Sequence, residues 1–451
     1  MKNRDLTQGN LSAHLVYLAL PLMLGNILQQ MYNTIASVVV NRYAGALEFA
    51  ATGVASSVMN LFLFIVIGAC TGISVLFSQA YGARDLETFR RQHFISLVFG
   101  FCAVAVLSIC AVLLLPWLLQ AIQTPEKLFS YTRAYLTIVL LSLPAAFLYN
   151  LYNALLRSVG STNAALGVLT LSVVLNLILS LLFVGKLSMG IAGAAWATAI
   201  AQTFSAAACF GYLWKVHREL IFTREDCRVD PALLKRSAHF SAVTALHQSG
   251  LYLGKLLVQG AVNSMGTDFI SAYTATTRIE GFVNSAGDSG AAATSVLVAQ
   301  NLGAKKEERV QETYRRSMLI CGALGAVCGV LLYTLAPWTV ELLLDTDHGA
   351  PFENAVYYLR TVAWFYVLCY TGNAFVGYFD GIGKVSLPLV GACSHISMRA
   401  ALSWLWIGQL GLAAVAWATG MGWVWCNFFW LMCYLVVRRR ERRCGSNLAD
   451  G

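Results

Sequence analysis

Five ionisable residues, Lys255, Arg278, Glu280, Asp288 and Arg399, lie inside stretches that are otherwise apolar. In hydrocarbon an unpaired charge is expensive, so such residues face a cavity, pair with each other, or help to move protons, ions or substrate. Glu280 falls about eleven residues from the start of its apolar run, and Lys255 about seven from the end of the run before it. At ~1.5 Å per helical residue the two depths differ by roughly 6 Å, within reach of two long side chains. Arg278 and Arg399 stand at a comparable depth. The expectation is a buried network in which Glu280 is paired with Lys255 or an arginine. Such a network is either a set of coupling groups or a static ion-pair cluster bracing the helices. A carboxylate locked to cations exchanges protons poorly at neutral pH, which argues against Glu280 as a proton carrier. The excess of cations suits anionic or zwitterionic metabolites rather than purely cationic compounds.

Nothing else in the chain has the makings of catalysis. No nucleophile–base constellation, phosphate loop or pair of catalytic carboxylates stands out, so an enzyme is not expected. Twelve cysteines, most within apolar stretches and none at metal-ligand spacing, read as small buried hydrophobes. Neither a metal nor another cofactor is expected.

The elements that must carry these residues follow from composition. Of 451 residues 58% are hydrophobic and 12% charged, with a mean hydropathy of +0.64, too few polar groups to cover a soluble surface. Runs of roughly 20 apolar residues recur with short polar gaps, the signature of a polytopic helical membrane protein and not of a membrane barrel. Spans are expected near 15–40, 51–79, 94–119, 132–156, 164–185, 190–214, 236–262, 269–299, 316–340, 357–379, 386–407 and 412–437. The first run lacks a small-residue cleavage site and reads as a retained helix. With loops assigned alternately to two sides, 23 Lys and Arg fall on the side of both termini and 5 on the other. The positive-inside rule then puts both termini in the cytoplasm, with the chain in the plasma (inner) membrane. The net charge of +9 reports this topology, and no nucleic-acid partner is expected. The domain plan is a tail 1–14, an N-lobe 15–214 with helices 1–6, a linker 215–235, a C-lobe 236–437 with helices 7–12, and a basic tail 438–451. That tail suits an anchor at the headgroups. The expected partners are membrane lipids and a small amphipathic substrate, with the chain a monomer.

The halves repeat. An offset of 221 brings S-V-L-F-S-Q-A-Y-G-A (74–83) onto S-V-L-V-A-Q-N-L-G-A (295–304), Pro116-Trp117 onto Pro337-Trp338, and G-I-A-G-A-A-W-A-T (190–198) onto G-L-A-A-V-A-W-A-T (411–419). Between these matches the offset drifts to 223, pairing Arg157 and Gly160 with Asp380 and Gly383, and Asn176 with Arg399. An even number of spans per half makes the repeats parallel, two six-helix bundles around a central cleft that rocking would open to either side in turn. Asp380 is expected at the cytoplasmic end of the tenth span, as a gate or loop contact.

The segments A-L-P-L-M-L-G-N-I-L-Q-Q-M-Y-N, S-Q-A-Y-G-A-R-D, L-L-R-S-V-G-S-T-N, residues 299–304 and the twin W-A-T signatures resemble those of multidrug and toxic compound extrusion (MATE) transporters. The resemblance covers nearly the whole chain and points to the branch of the bacterial DNA-damage-inducible proteins. It implies a cation-driven antiporter that exports amphipathic compounds, with H⁺ expected over Na⁺ as the coupling ion. It also implies a substrate cavity in the N-lobe formed by Pro21, Gln29, Tyr32, Asn33, Tyr135, Asn153, Asn176 and Thr198, whose polar groups hydrogen-bond diverse ligands beside apolar walls.

The chain departs from that family at its acids. N-T-I-A-S-V-V-V-N puts Ala36 where an aspartate is usual, Asn41 where glycine is usual, and Ser180 at a second acidic position. Spans 236–262 and 357–379 contain no acid. Coupling has then moved to Glu280 or Asp288, with Lys255, Arg278 and Arg399 around them, or it is impaired, or the chain is a variant whose aspartate has been replaced. A lipid-linked precursor flippase of the same superfamily and a non-transporting scaffold are the rival readings.

Overall fold

Fourteen α-helices and no strand form among the described residues, 5–344 and 349–446, of the computed structural model, which leaves aside the side chains of 32–38, 46 and 441–446. In the first half these are α1 (Leu11–Ala44), α2 (Ala46–Gly82), α3 (Leu86–Ala121), α4 (Glu126–Leu141), α5 (Leu143–Ser158), α6 (Thr162–Ser180) and α7 (Gly190–Val216). In the second they are α8 (Pro231–Asn263), α9 (Thr267–Gly303), α10 (Glu307–Glu341), α11 (Ala350–Ala363), α12 (Tyr366–Gly381), α13 (Ser386–Leu410) and α14 (Leu412–Ser446). Fourteen helices cover twelve expected spans because the fourth and tenth are each broken. The α4–α5 pair bends by 45° at Ser142, where Pro144 follows in the first turn of α5 and removes a backbone donor. The α11–α12 break at Trp364 and Phe365 contains no proline; there the Phe365 ring packs against Gly420 of α14.

Hydropathy alone finds fewer spans than the fold. Six described helices carry an 18-residue stretch apolar enough to cross a bilayer, or seven with the bent α4–α5 pair. The charged side chains within α8, α9 and α13 dilute their apolar faces. Several helices also overrun the expected limits: α2 has 37 residues, ~55 Å at 1.5 Å each, well beyond a hydrocarbon core of ~30 Å.

Backbone geometry repeats with the sequence. The left-handed residues Gly45, Arg84, Gly160 and Gly190 recur as Gly266, Lys305, Gly383 and Gly411, at the offsets of 221 and 223 read from the sequence.

Two compact units result, Met1–Ser249 with Ala299–Arg309, and Gly250–Val298 with Val310–Gly451. The division therefore departs from the expected lobes: the start of α8 and the last turn of α9 pack with the first half. Small residues make this possible. Gly68 and Gly72 of α2 admit the backbone of α8 so closely that Thr244 Oγ1 donates to Gly68 O at 2.7 Å. At the ends of α2 and α9 a β-carbon on Gly82 would meet the Gln300 carbonyl at 2.0 Å, and one on Gly303 the Gln79 carbonyl at the same distance. Cysteines also differ from expectation. Cys70, Cys209, Cys321 and Cys426 are buried, but Cys102, Cys110 and Cys393 lie on exposed apolar helix faces.

The expected linker is not loose. Its Asp226 Oδ2 accepts from Arg90 Nε of α3 at 2.9 Å and from the Thr223 backbone and hydroxyl, while His93 Nδ1 meets Leu220 O at 3.3 Å. Burial opposes the Asp226 carboxylate, but the Thr223 and Arg90 donors outweigh it and hold its pKa below the ordinary value.

Two predictions follow from this packing. Gly303→Val should cost about 3 kcal/mol through overpacking, read as a lower melting midpoint of the purified protein, and an unchanged midpoint contradicts the close crossing. Because the folded Asp226 pKa is depressed, its stabilisation is present above about pH 4 and is lost as pH falls through the folded value. Asp226→Asn should therefore speed hydrogen exchange of residues 218–228 roughly ten-fold at pH 7, and exchange at the natural rate refutes the docking.

Candidate functional site in the second half

The second half contains a cluster of buried tyrosines around one acid. Glu280 of α9 is 8% exposed, and its two carboxylate oxygens accept from Tyr358 Oη of α11 at 3.1 Å and Tyr366 Oη of α12 at 3.3 Å. Arg399 of α13 donates to Tyr273 Oη of α9 at 3.4 Å, while its Nε is buried with no hydrogen-bond partner among the described residues. A chain of contacts thus runs from the guanidinium to Tyr273, whose ring meets that of Tyr358 edge-on with centroids 6.1 Å apart, and from Tyr358 to the carboxylate.

That arrangement corrects the expected direct pair. Among the described residues no lysine or arginine nitrogen lies within 4.0 Å of the Glu280 carboxylate. Arg399 and Lys255 act on Glu280 through space, and Lys255 also acts on Asp288. Lys255, Arg278 and Asp288 themselves are exposed. The sequence reading missed the tyrosines. Its available signal was three of them, Tyr358, Tyr366 and Tyr370, in a single apolar span, since a buried phenol needs a polar partner.

In the first half the expected residues gather only in part. Asn176 of α6 donates to Thr198 Oγ1 of α7 at 3.3 Å, and Ser180 Oγ donates to Asn176 Oδ1 at 3.0 Å. The position expected to hold a second acid is thus a hydroxyl bound to an amide, and a π-helical turn, Leu181–Lys186, follows it. Such turns are frequent at functional positions. Asn153 pairs separately with Tyr149 Oη at 3.2 Å, and Tyr135 packs on Val39, Val40, Val184 and Ala194 with its hydroxyl towards Met59 Sδ. Pro21 is buried within α1 and Gln29 is exposed on it. The side chains of Tyr32, Asn33 and Ala36 lie outside the described ones, while Asn41 is exposed. Asp380 is buried near the end of α12, and its Oδ1 has no hydrogen-bond partner among the described residues.

One acid escaped the sequence reading. Glu48, in the first turn of α2, accepts from the Ile191 backbone N–H and so caps α7. The left-handed Gly190 gives it room, since a β-carbon there would meet Glu48 Oε2 at 2.5 Å. At the equivalent Gly411 the neighbour is the Phe269 ring.

A cycle on the acid tests this geometry. Tyr358→Phe should cost about 1.5–3 kcal/mol by removing a hydrogen bond to a charged group. In a Glu280→Gln background the loss should shrink; equal losses in both backgrounds would mean that the phenol does not serve the carboxylate.

Comparison with known proteins places this architecture. The MatE family model matches twice, over residues 21–182 and 244–405, the two copies being 223 residues apart. The probable multidrug resistance protein YpnP of Bacillus subtilis (strain 168) is 26% identical over 425 residues, covering 91% of this chain and 93% of its own. DNA damage-inducible protein F of Escherichia coli (strain K12) is 25% identical over 344 residues, covering 73% and 72%. A solved outward-facing multidrug resistance MATE family transporter of the MOP superfamily shares the fold at a TM-score of 0.91 and 20% identity, over 98% of this chain and 99% of that one.

Proposed function

The chain belongs to the MatE family, a family of multi-pass membrane transporters, and we propose that it is a secondary active efflux transporter driven by H⁺. In this reading it is an antiporter of the plasma (inner) membrane with cytoplasmic termini, and it exports amphipathic compounds by alternating access. The relatives named as multidrug resistance proteins support an export role. Proton exchange falls to Glu280.

The observation that carries this reading is the pair of phenols on the Glu280 carboxylate. A lysine or arginine can only donate, so a carboxylate locked to one has no neutral state that leaves every group satisfied. A tyrosine hydroxyl donates or accepts. When Glu280 is ionised both phenols donate to it, and when it is protonated one can turn and accept. Neither state leaves the carboxyl itself without a partner, which a proton carrier requires in a low-dielectric interior. The argument against Glu280 drawn from cation pairing loses its premise once the phenols intervene. The substrate-facing groups of the first half are Gln29, Asn153, Asn176 and Thr198 in this reading, with no carboxylate at Ala36 or Ser180 to share the coupling.

Reconstitution in sealed vesicles with an imposed pH gradient tests the proposal. Glu280→Gln should reduce gradient-driven efflux at least ten-fold, and a Na⁺ gradient alone should drive none. Undiminished efflux by Glu280→Gln would sink Glu280 as the carrier. Efflux that begins only after Ala36→Asp would instead mean that coupling is disabled in this chain.

A further inference from the structure

In the first unit the end of α2, the starts of α3 and α8, and Gly303 of α9 enclose a cavity of about 230 Å³. Every residue that lines it belongs to Met1–Ser249 or Ala299–Arg309. The lining is mixed: Leu76 and Leu233 supply apolar surface, Gln79 and Gln92 supply amides, and Arg236 and Asp85 bring one charge of each sign. The amides are committed to the protein. Gln92 Nε2 donates to Ser96 Oγ at 2.8 Å and to Ser237 Oγ at 2.7 Å, and Gln79 Oε1 accepts from Arg236 Nη2 at 2.6 Å. These bonds tie α3 and α2 to the start of α8 and hold the cavity open between them.

The two charges differ from those around them. Arg84 meets Asp5 at 3.4 Å, Arg90 meets Asp226 at 2.9 Å and Arg91 meets Glu87 at 2.5 Å. Among the described residues Arg236 has only neutral partners, Gln79 and the Phe240 ring, whose centre is 5.6 Å from the guanidinium carbon. Asp85 caps α3, with Oδ1 accepting from the Thr88 backbone at 2.9 Å, and no lysine, arginine or histidine nitrogen lies within 4.0 Å of its carboxylate among the described residues. Opposite charges therefore line one cavity without pairing. A guanidinium presents its remaining N–H groups as a fork that fits an oxyanion, and a carboxylate can accept from an ammonium. A ligand that satisfies both carries an oxyanion and an N–H-bearing cation.

Size and level narrow the class further. The volume of about 230 Å³ falls short of the roughly 300–1,000 Å³ of pockets for drug-sized ligands. At ~30 Å³ for each water-sized group it holds roughly eight heavy atoms, the size of a single polar head group. Gln79 closes the second expected span and Arg236 opens the seventh, so the cavity stands where apolar helix gives way to polar loop.

We propose that this cavity binds a small zwitterion of the phosphoethanolamine kind, its oxyanion on Arg236 and its primary ammonium on Asp85. That chemistry is offered by a phospholipid head group at the membrane surface and by the same group free in solution. A bound head group spans from the cap of α3 to the first turns of α8 and so strengthens the hold of the first unit on the start of α8. None of the lining residues belongs to the Glu280 cluster, and binding here is independent of the efflux reading.

Native mass spectrometry of the full chain in detergent, titrated with dioleoyl lipids that differ only in head group, tests the site. Phosphatidylethanolamine should bind about ten-fold more tightly than phosphatidylcholine, which has no N–H for Asp85, and than phosphatidylglycerol, which has no cation. Asp85→Asn keeps a residue that caps a helix well, so it should bring phosphatidylethanolamine down to the level of phosphatidylcholine without loosening α3. Arg236→Gln should weaken it about ten-fold, and Arg236→Lys should keep most of the binding. An unchanged melting midpoint in lipid-free detergent shows that a variant is folded; should Arg236→Gln fail that check, Asp85→Asn and the head-group series decide the matter. Tightest binding of phosphatidylglycerol, no preference among the lipids, or a preference indifferent to both variants overturns the proposal. Free phosphoethanolamine distinguishes the sources. Displacement of the lipid at a concentration near the lipid's own Kd upholds a site for the soluble zwitterion, and lipid binding undisturbed by it upholds a site for the membrane head group.

Discussion

Hydrocarbon offers no hydrogen-bond partner, and every polar group that these helices carry into it has to find one inside the protein. The arrangement around Glu280 is the most demanding case. Its carboxylate is met by two phenols, Arg399 donates to a third on Tyr273, and the Tyr273 ring packs edge-on against Tyr358. Four helices, α9, α11, α12 and α13, are tied together by that one requirement. The same constraint acts more gently in the first half, where Asn176 satisfies Thr198 and Ser180, and at the start of α7, where Glu48 caps a backbone N–H. A carboxylate surrounded by hydroxyls is held in position without being held in one protonation state. That is what distinguishes this cluster from a brace of ion pairs.

Duplication supplied the scaffold, and later divergence at equivalent places supplied the chemistry. Left-handed residues recur at matching positions in both halves because chain reversals and close approaches need them wherever the backbone path is the same. Side chains at those matching positions are under no such restriction. Glu48 faces Gly190 in one half and Phe269 faces Gly411 in the other. Asn176, bonded to a threonine and a serine, corresponds to Arg399, bonded to a tyrosine. The first half became neutral at depth and the second became charged. Each broken helix pair keeps its place in the repeat, yet only the first has a proline at the break.

Much of this was legible from residue types alone. Runs of apolar residues, the offsets of 221 and 223, and the acids and bases within the runs gave helices, repeat and candidate charges, because solvent preference and duplication leave their marks locally along the chain. The MatE match in two copies 223 residues apart bears out that repeat. Depth along a helix was also readable, since 1.5 Å per residue needs no tertiary information. Rotation about the helix axis was not. Glu280, Lys255 and Arg399 were set at similar depths, but depth does not say whether two side chains point at each other or at neighbouring tyrosines. Nor does it predict that the start of α8 packs with the first half, a consequence of glycines on α2 that only a facing helix makes meaningful.

The sequence by itself determined the solvent, the helical class, the duplication and the inventory of charge, all of which depend on what each residue is and how far along the chain it lies. Tertiary structure alone decided the partners: that phenols and not cations hold Glu280, and that a hydroxyl and an amide stand together where an acid was expected. Partnership depends on the azimuth of several helices at once, and no single helix encodes it.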